Sequence, residues 1–138
     1  MKKYFFLLIT FPMLFSCTSN SINNNNPYLP NYTFAIDINM NLPAYSSLLY
    51  PSTAIYYSGQ GVRGIFVFNT GSGYNAFDAA CPNQAVSACS TMTIKGINVL
   101  CACDSAEYSL FTGQSAGKQY PLKQYRLEVN GNVLRVYN

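Results

Sequence analysis

The sequence predicts an all-β domain, a sandwich or barrel of short antiparallel strands. Three observations carry that expectation. Charged residues make up only 9% of the 138-residue chain, which holds 12 Tyr and 9 Phe, a balance that suits half-buried strands better than solvated helices. Short runs rich in β-branched and aromatic residues are separated by Gly, Pro and Asn turn signals at close spacing. No segment sustains a 3.6-residue apolar period over the length of a helix. A chain of this size supports one domain with its own core, and no internal repeat divides it.

The elements follow in order. "TFAIDINM" alternates Phe34, Ile36, Ile38 and Met40 with Asp37 and Asn39, the period of a half-buried strand. "NLPAYSSLLYPS" carries Pro43 and Pro51 and reads as a loop, and "TAIYY" is a short strand closed by Gly59-Gln60-Gly61. "RGIFVFN" is a nearly continuous apolar strand that pairs, across "TGSG", with "GYNAFDA". "TMTIKGINVLC" reads as a second hairpin turning at Lys95-Gly96. In "YPLKQYRLEVNGNVLRVYN", Asn130-Gly131 lies between alternating segments and marks a third.

The start of the chain is of another kind. "MKKYFFLLITFPMLFSC" has a basic beginning, an apolar run too short to span a bilayer comfortably, and a small residue before Cys17, which is a secretory signal pattern. Leu14-Phe15-Ser16-Cys17 resembles a bacterial lipobox. That resemblance implies that residues 1–16 are a signal peptide and that Cys17 becomes a lipidated N-terminus. Several acyl chains, at roughly 0.8 kcal/mol per buried methylene, anchor firmly. The expected location is the bacterial cell envelope, on the inner or outer membrane, facing the periplasm or the surface. Residues 17–31 are polar, rich in Asn and Ser, and read as a flexible tether; the folded domain is expected over 32–138.

Composition excludes several functions. The formal charge of +3 falls to six basic against five acidic residues once Lys2 and Lys3 are removed, and no basic stripe exists, so nucleic acid is not an expected partner. The chain has no His, which removes Ser-His and Cys-His dyads. The carboxylates are Asp37, Asp78, Asp104, Glu107 and Glu128, and the neighbours Asp104 and Glu107 read as solvated loop charges. Most tyrosines are expected to fill strand faces. Tyr120 and Tyr125 beside Lys118 and Lys123 could form a docking patch, though nothing in the sequence says for what. No enzyme is expected.

Two cysteine-bearing loops hold the remaining chemistry. Cys81-x-Asn83 follows the strand ending in Asp78, and Cys101-x-x-Asp104 follows the next hairpin after 17 intervening residues. This resembles the Rieske iron–sulfur family, whose pattern is C-x-H…C-x-x-H. "YNAFDAACPN" is similar to the strand into the family's first box, "CACDSAEYSLFTGQSAGKQYPLKQYRLEV" to its second box, Gly-rich stretch and "PLxxY" strand, and "NGNVLRV" to its closing hairpin. The resemblance covers Thr33 to Asn138. It implies a Rieske-like antiparallel sandwich or barrel and, in the family, a [2Fe–2S] cluster that passes single electrons, two Cys holding one iron and two His the other. Here Asn83 and Asp104 stand at the histidine positions. Asn is neutral and a poor iron ligand, whereas Asp104 is an anionic oxygen donor. Ser105 and Ala106 stand where the family has Gly and Ser, so the hydroxyl that tunes a cluster sulfur is missing. "AGKQ", Ala116 to Gln119, replaces the covering Gly-Pro-Ala loop.

The resemblance brings Cys81 and Cys101 within a few ångströms of each other. It also matches Cys103 to one member of the family's cross-loop disulfide; the other member falls at Val86, with Cys89 three residues on. The first expectation is therefore no cofactor, with Cys81–Cys101 and Cys89–Cys103 bridged in an oxidising compartment. Four cysteines permit three connectivities, and spacing alone does not choose among them. Lys2-Lys3 is not a twin-arginine signal, so export of an unfolded chain would not carry a cytoplasmic cluster. Two alternatives stay open. One is a [2Fe–2S] cluster on Cys81, Cys101 and some of Cys89, Cys103 and Asp104, making an electron carrier. The other is structural zinc on Cys81, Cys89, Cys101 and Cys103, for which the Cys101-x-Cys103 gap is tight. The expected role is a non-catalytic structural or interaction module at the membrane surface.

Overall fold

Strand β3, Ile65–Asn69, is buried along its whole length, and the architecture is arranged around it. Phe66 and Phe68 point into one core, Ile65 and Val67 into another. A strand covered on both faces can be apolar at every position, which accounts for the run "IFVF". The computed structural model describes residues 22 and 24–138; Cys17, the expected signal and the first part of the expected tether lie outside the described residues.

The other strands are β1 (Ala35–Asn39), β2 (Ala54–Tyr57), β4 (Tyr74–Asp78), β5 (Thr93–Lys95), β6 (Asn98–Leu100), β7 (Glu107–Ser109), β8 (Gln124–Asn130) and β9 (Val133–Tyr137). They form a six-stranded sheet in the order β1-β9-β8-β4-β3-β2 and a three-stranded sheet β5-β6-β7, with every pairing antiparallel. Edge strands β1 and β2 send Ile38 and Ile55 into the same core as Ile65 and Val67, so the large sheet curls around that core. The small sheet covers the opposite face of β3 and β4, where Val99 and Tyr108 meet Phe66, Phe68 and Phe77. The all-β antiparallel class holds.

Three local features differ from expectation. In the β8–β9 hairpin Asn130 pairs with Val133, so Gly131-Asn132 are the central residues, with Gly131 at φ 61°. In β5–β6 Lys95 pairs with Asn98, placing Gly96-Ile97 at the centre, with Gly96 at φ 64°. Both turns sit one residue later than predicted, because glycine takes the first central position of a II′-type turn rather than the second of an Asn-Gly I′ turn. Strand β7 was not expected; at three residues it is too short to show alternation.

The third difference concerns the tether. From Asn24 onward it lies against the domain. The Asn24 amide donates to the Gln124 carbonyl at 2.6 Å and accepts the Gln124 N–H at 3.0 Å, as a neighbouring strand would. Asn26 donates to the Pro82 carbonyl at 2.7 Å, Leu29 is buried, and Tyr28 packs edge-on against Tyr120 at 6.0 Å. Polar composition does not exclude docking when side-chain amides satisfy exposed backbone.

A buried polar knot fixes where β4 delivers its cysteine loop. The Asp78 carboxylate, fully buried, accepts the N–H groups of Val62 at 2.5 Å and Ala80 at 2.7 Å, the more distant N–H of Arg63, and the Tyr125 hydroxyl at 2.6 Å. Burial, and then the adjacent Asp78 charge, push the Tyr125 phenol well up, so it stays a donor. Lys123 is also buried, and its ammonium donates to the Pro30 carbonyl at 2.7 Å and Asn31 Oδ1 at 2.5 Å. Burial pulls its pKa down against the attraction of Asp78. Tyr125 and Lys123 therefore belong to the interior, which corrects the expected docking patch: two of its four members are not on the surface.

Candidate functional site

Loop 1 runs from the end of β4 to β5. Its base is closed by an Ala80–Thr91 bridge and by the Cys81 N–H on the Ser90 carbonyl at 2.8 Å. Arg63 ties its outer part down by donating to the Ser87 carbonyl at 2.8 Å. Loop 2 joins β6 to β7 in six residues, Cys101 to Ala106, and is closed by the Cys101 N–H on the Ala106 carbonyl at 2.9 Å. Antiparallel pairing of β5 with β6 brings the two loops to the same end of the small sheet.

There the structure joins Cys81 to Cys101 and Cys89 to Cys103, with Cα–Cα separations of 5.7 and 5.2 Å, within the usual span of bridged pairs. Cys81 and Cys101 are buried in the core shared by the two sheets; Cys89 is exposed and Cys103 half-buried. The Sγ atoms of Cys81, Cys101 and Cys103 all lie within 4.8 Å of one another, so the two bridges are in contact. Sequence separations of 20 and 14 residues give about 3 kcal/mol of loop-closure stabilisation per bridge in the chain-entropy account.

The two residues at the motif's histidine positions are both committed to other partners. Asn83 Nδ2 donates to the Tyr108 hydroxyl and to the Tyr120 carbonyl, each at 2.8 Å, and Oδ1 accepts the Tyr120 N–H at 2.9 Å. Asp104 Oδ1 accepts the Ala106 N–H at 3.0 Å, and Oδ2 pairs with Lys118 at 2.6 Å. Partial burial pushes the Asp104 carboxyl up, but the Lys118 hydrogen bond, the Ala106 N–H and the lysine charge outweigh it and hold the group below its ordinary range. Burial raises the Tyr108 phenol, with Asn83 opposing. Lys118 comes from "AGKQ", so that stretch and Tyr120 form a third loop bonded to both cysteine loops. Asp104 and Glu107 do not act together: Glu107 bonds Lys95 instead.

Ser105 has φ 58°, a left-handed conformation that suits glycine, and it occupies the position where the resembled motif has glycine. Ala106 is buried. The spacing showed Cys81, Asn83, Cys101 and Asp104 as a set. It did not show Lys118, Tyr108 and Tyr120, which complete the arrangement; the aromatic and basic content of "AGKQYPLKQY" was the available signal.

These residues do not suit a two-cysteine, two-histidine [2Fe–2S] centre. The sulfurs that would hold one iron are bonded to each other. At the other iron's positions, one group is a neutral amide whose donors and acceptor are engaged, and the second is a carboxylate already neutralised by an ammonium. Four disulfide-bonded cysteines offer no thiolate to zinc.

No protein-family model matches the chain, and no curated protein does. Solved structures do. The chain is similar to a chain from a complex of reduced oxygenase and oxidized ferredoxin in carbazole 1,9a-dioxygenase, at 21% identity and TM-score 0.46 over 63% of this chain and 82% of that one. It is similar to the ferredoxin of carbazole 1,9a-dioxygenase from Nocardioides aromaticivorans IC177, at 15% identity and TM-score 0.44 over 63% and 86%. It is likewise similar to the Sphingomonas yanoikuyae B1 ferredoxin, at 13% identity and TM-score 0.46 over 64% and 88%.

Proposed function

We propose that the protein is a lipid-anchored component of the bacterial cell envelope whose domain follows the Rieske-like plan but serves as a non-catalytic structural or interaction module. The observation that carries the non-catalytic role is the commitment of all four motif positions: Cys81 to Cys101, Asn83 to Tyr108 and Tyr120, Asp104 to Lys118. Groups engaged in this way stiffen loops and leave no free side chain at these positions to hold a metal or a cluster. The anchor rests on Leu14-Phe15-Ser16-Cys17 and the apolar run before it. The docking of Asn24 to Asn31 on β8 and loop 1 agrees with such an anchor, since it leaves only the residues before Asn24 to separate the domain from a lipid on Cys17. The protein is expressed in a bacterial host with labelled palmitate and recovered from the envelope fraction. Label in the wild type and none in Cys17→Ala is the expected result. Label that persists in the variant would overturn the anchor, and visible absorption from the purified protein would overturn the non-catalytic role.

A further inference from the structure

Thiol–disulfide exchange needs an exposed sulfur that an incoming thiolate can attack, and a released thiolate close to its next target. The two bridges supply both. Cys89 is exposed, while Cys81 and Cys101 are buried. Cys103 Sγ is bonded to Cys89 and lies within 4.8 Å of both buried sulfurs. Hydroxyls line this pair: Ser87 Oγ is 3.3 Å from Cys89 Sγ and 3.8 Å from Cys103 Sγ, and the buried Ser90 Oγ is 4.0 Å from Cys103 Sγ. A disulfide carries no S–H, so the hydroxyls are the donors, and the same donors favour a thiolate formed in place.

We propose that the two loops form a thiol–disulfide exchange relay, with Cys89–Cys103 as its outer pair and Cys81–Cys101 as its inner pair. A thiolate of an external dithiol attacks Cys89 Sγ. The Cys89–Cys103 bond breaks, and its electron pair leaves on Cys103. The second thiolate of the reagent attacks its own sulfur in the mixed disulfide, releasing Cys89 and departing as an oxidised disulfide. Two electrons have entered the protein, and the reagent's two protons go to the new thiols or to solvent. Cys103 then attacks Cys81 Sγ, forming a Cys81–Cys103 bridge and releasing Cys101, with no change in electron count. Cys81 is the target because a Cys101–Cys103 bridge would close a strained ring across one residue. A second dithiol reduces the new bridge by attacking the half-buried Cys103 Sγ, with the electron pair leaving on Cys81, so the buried Cys81 and Cys101 are reduced without being attacked directly by the reagent. None of this depends on the lipid anchor.

The test uses the oxidised Cys89→Ser variant, in which Cys103 is a free thiol beside the inner pair. The protein is held under native conditions, acid-quenched, alkylated with N-ethylmaleimide and mapped by mass spectrometry without reduction. The expected result is label divided between Cys103 and Cys101, with a Cys81–Cys103 bridge present. Label on Cys103 alone with Cys81–Cys101 intact would overturn the relay. The wild type gives a second arm that does not depend on the variant folding. Under limiting dithiothreitol the outer pair should open at least about tenfold faster than the inner pair, and the two-electron-reduced species should carry label at Cys89 and Cys101. Equal opening rates, or label confined to Cys89 and Cys103, would contradict it.

Discussion

Asn83 holds Tyr120 by both ends of its amide: Oδ1 accepts the Tyr120 N–H at 2.9 Å, and Nδ2 donates to the Tyr120 carbonyl at 2.8 Å. The side chain takes the place of a strand neighbour and stitches loop 1 to the third loop, with its remaining N–H on the Tyr108 hydroxyl. Asn83→Ala should lower stability by about 2–3 kcal/mol, since each lost bond is worth about 1. Asn83→Asp should cost a similar amount, because a carboxylate cannot donate and would face the Tyr120 carbonyl. Urea denaturation measures both. An unchanged midpoint in either variant would mean that the loops are held by something else.

The turn before β3 is tied to Asp78 just as closely. Gly61 has φ 74°, and a Cβ there would stand 2.6 Å from Asp78 Oδ2 and 3.1 Å from the Tyr125 hydroxyl. Gly61→Ala should therefore cost at least about 2 kcal/mol, combining left-handed strain with displacement of a buried carboxylate. Gly131→Ala is the control: φ is 61°, and nothing lies within 4 Å of the added carbon, so only the strain of about 1 kcal/mol remains. Equal losses in the two variants would remove the packing argument.

Acid should release Asp104 from Lys118. The folded carboxyl titrates below its ordinary value of 3.8, so its contribution is complete above that value and fades as pH falls through the lowered one. Lys118 is raised by its hydrogen bond to Asp104, so its contribution is complete below 10.5 and fades only as pH rises through the raised value. At neutral pH Lys118→Met should destabilise only slightly, because the pair is partly solvated. The difference from the wild type should shrink once pH falls below 3.8 and close as pH passes through the lowered folded value, where the carboxyl is protonated. Denaturation at neutral and acid pH checks this, and a difference that persists in acid would point to packing of the Lys118 stem instead.

Strands with a clear pattern were legible in the sequence. The run of β3 and the alternation of Phe34, Ile38 and Met40 each follow from how many faces are buried. The placement of the cysteine loops was legible too, because Asp78 ends β4 and Leu100 ends β6. What escaped depends on partners far along the chain. Lys123 is buried because Pro30 and Asn31, more than 90 residues away, accept its protons, and a lone lysine in sequence reads as surface. Asn24 docks on β8 from 100 residues away by imitating backbone, which composition cannot register. Asp78 read as one carboxylate among five, although it organises Val62, Ala80 and Tyr125.

The most direct test of the central claim, a metal-free site closed by two disulfides, is the intact mass of the protein recovered from the envelope. It is measured under native conditions and again after denaturation and alkylation without reductant. The account predicts a mass about four hydrogens below that of the fully reduced chain, identical in the native spray apart from solvent, with no alkylation of Cys81, Cys89, Cys101 or Cys103. A native mass carrying iron and sulfide or zinc, with those four cysteines alkylated once the metal is lost, would contradict it.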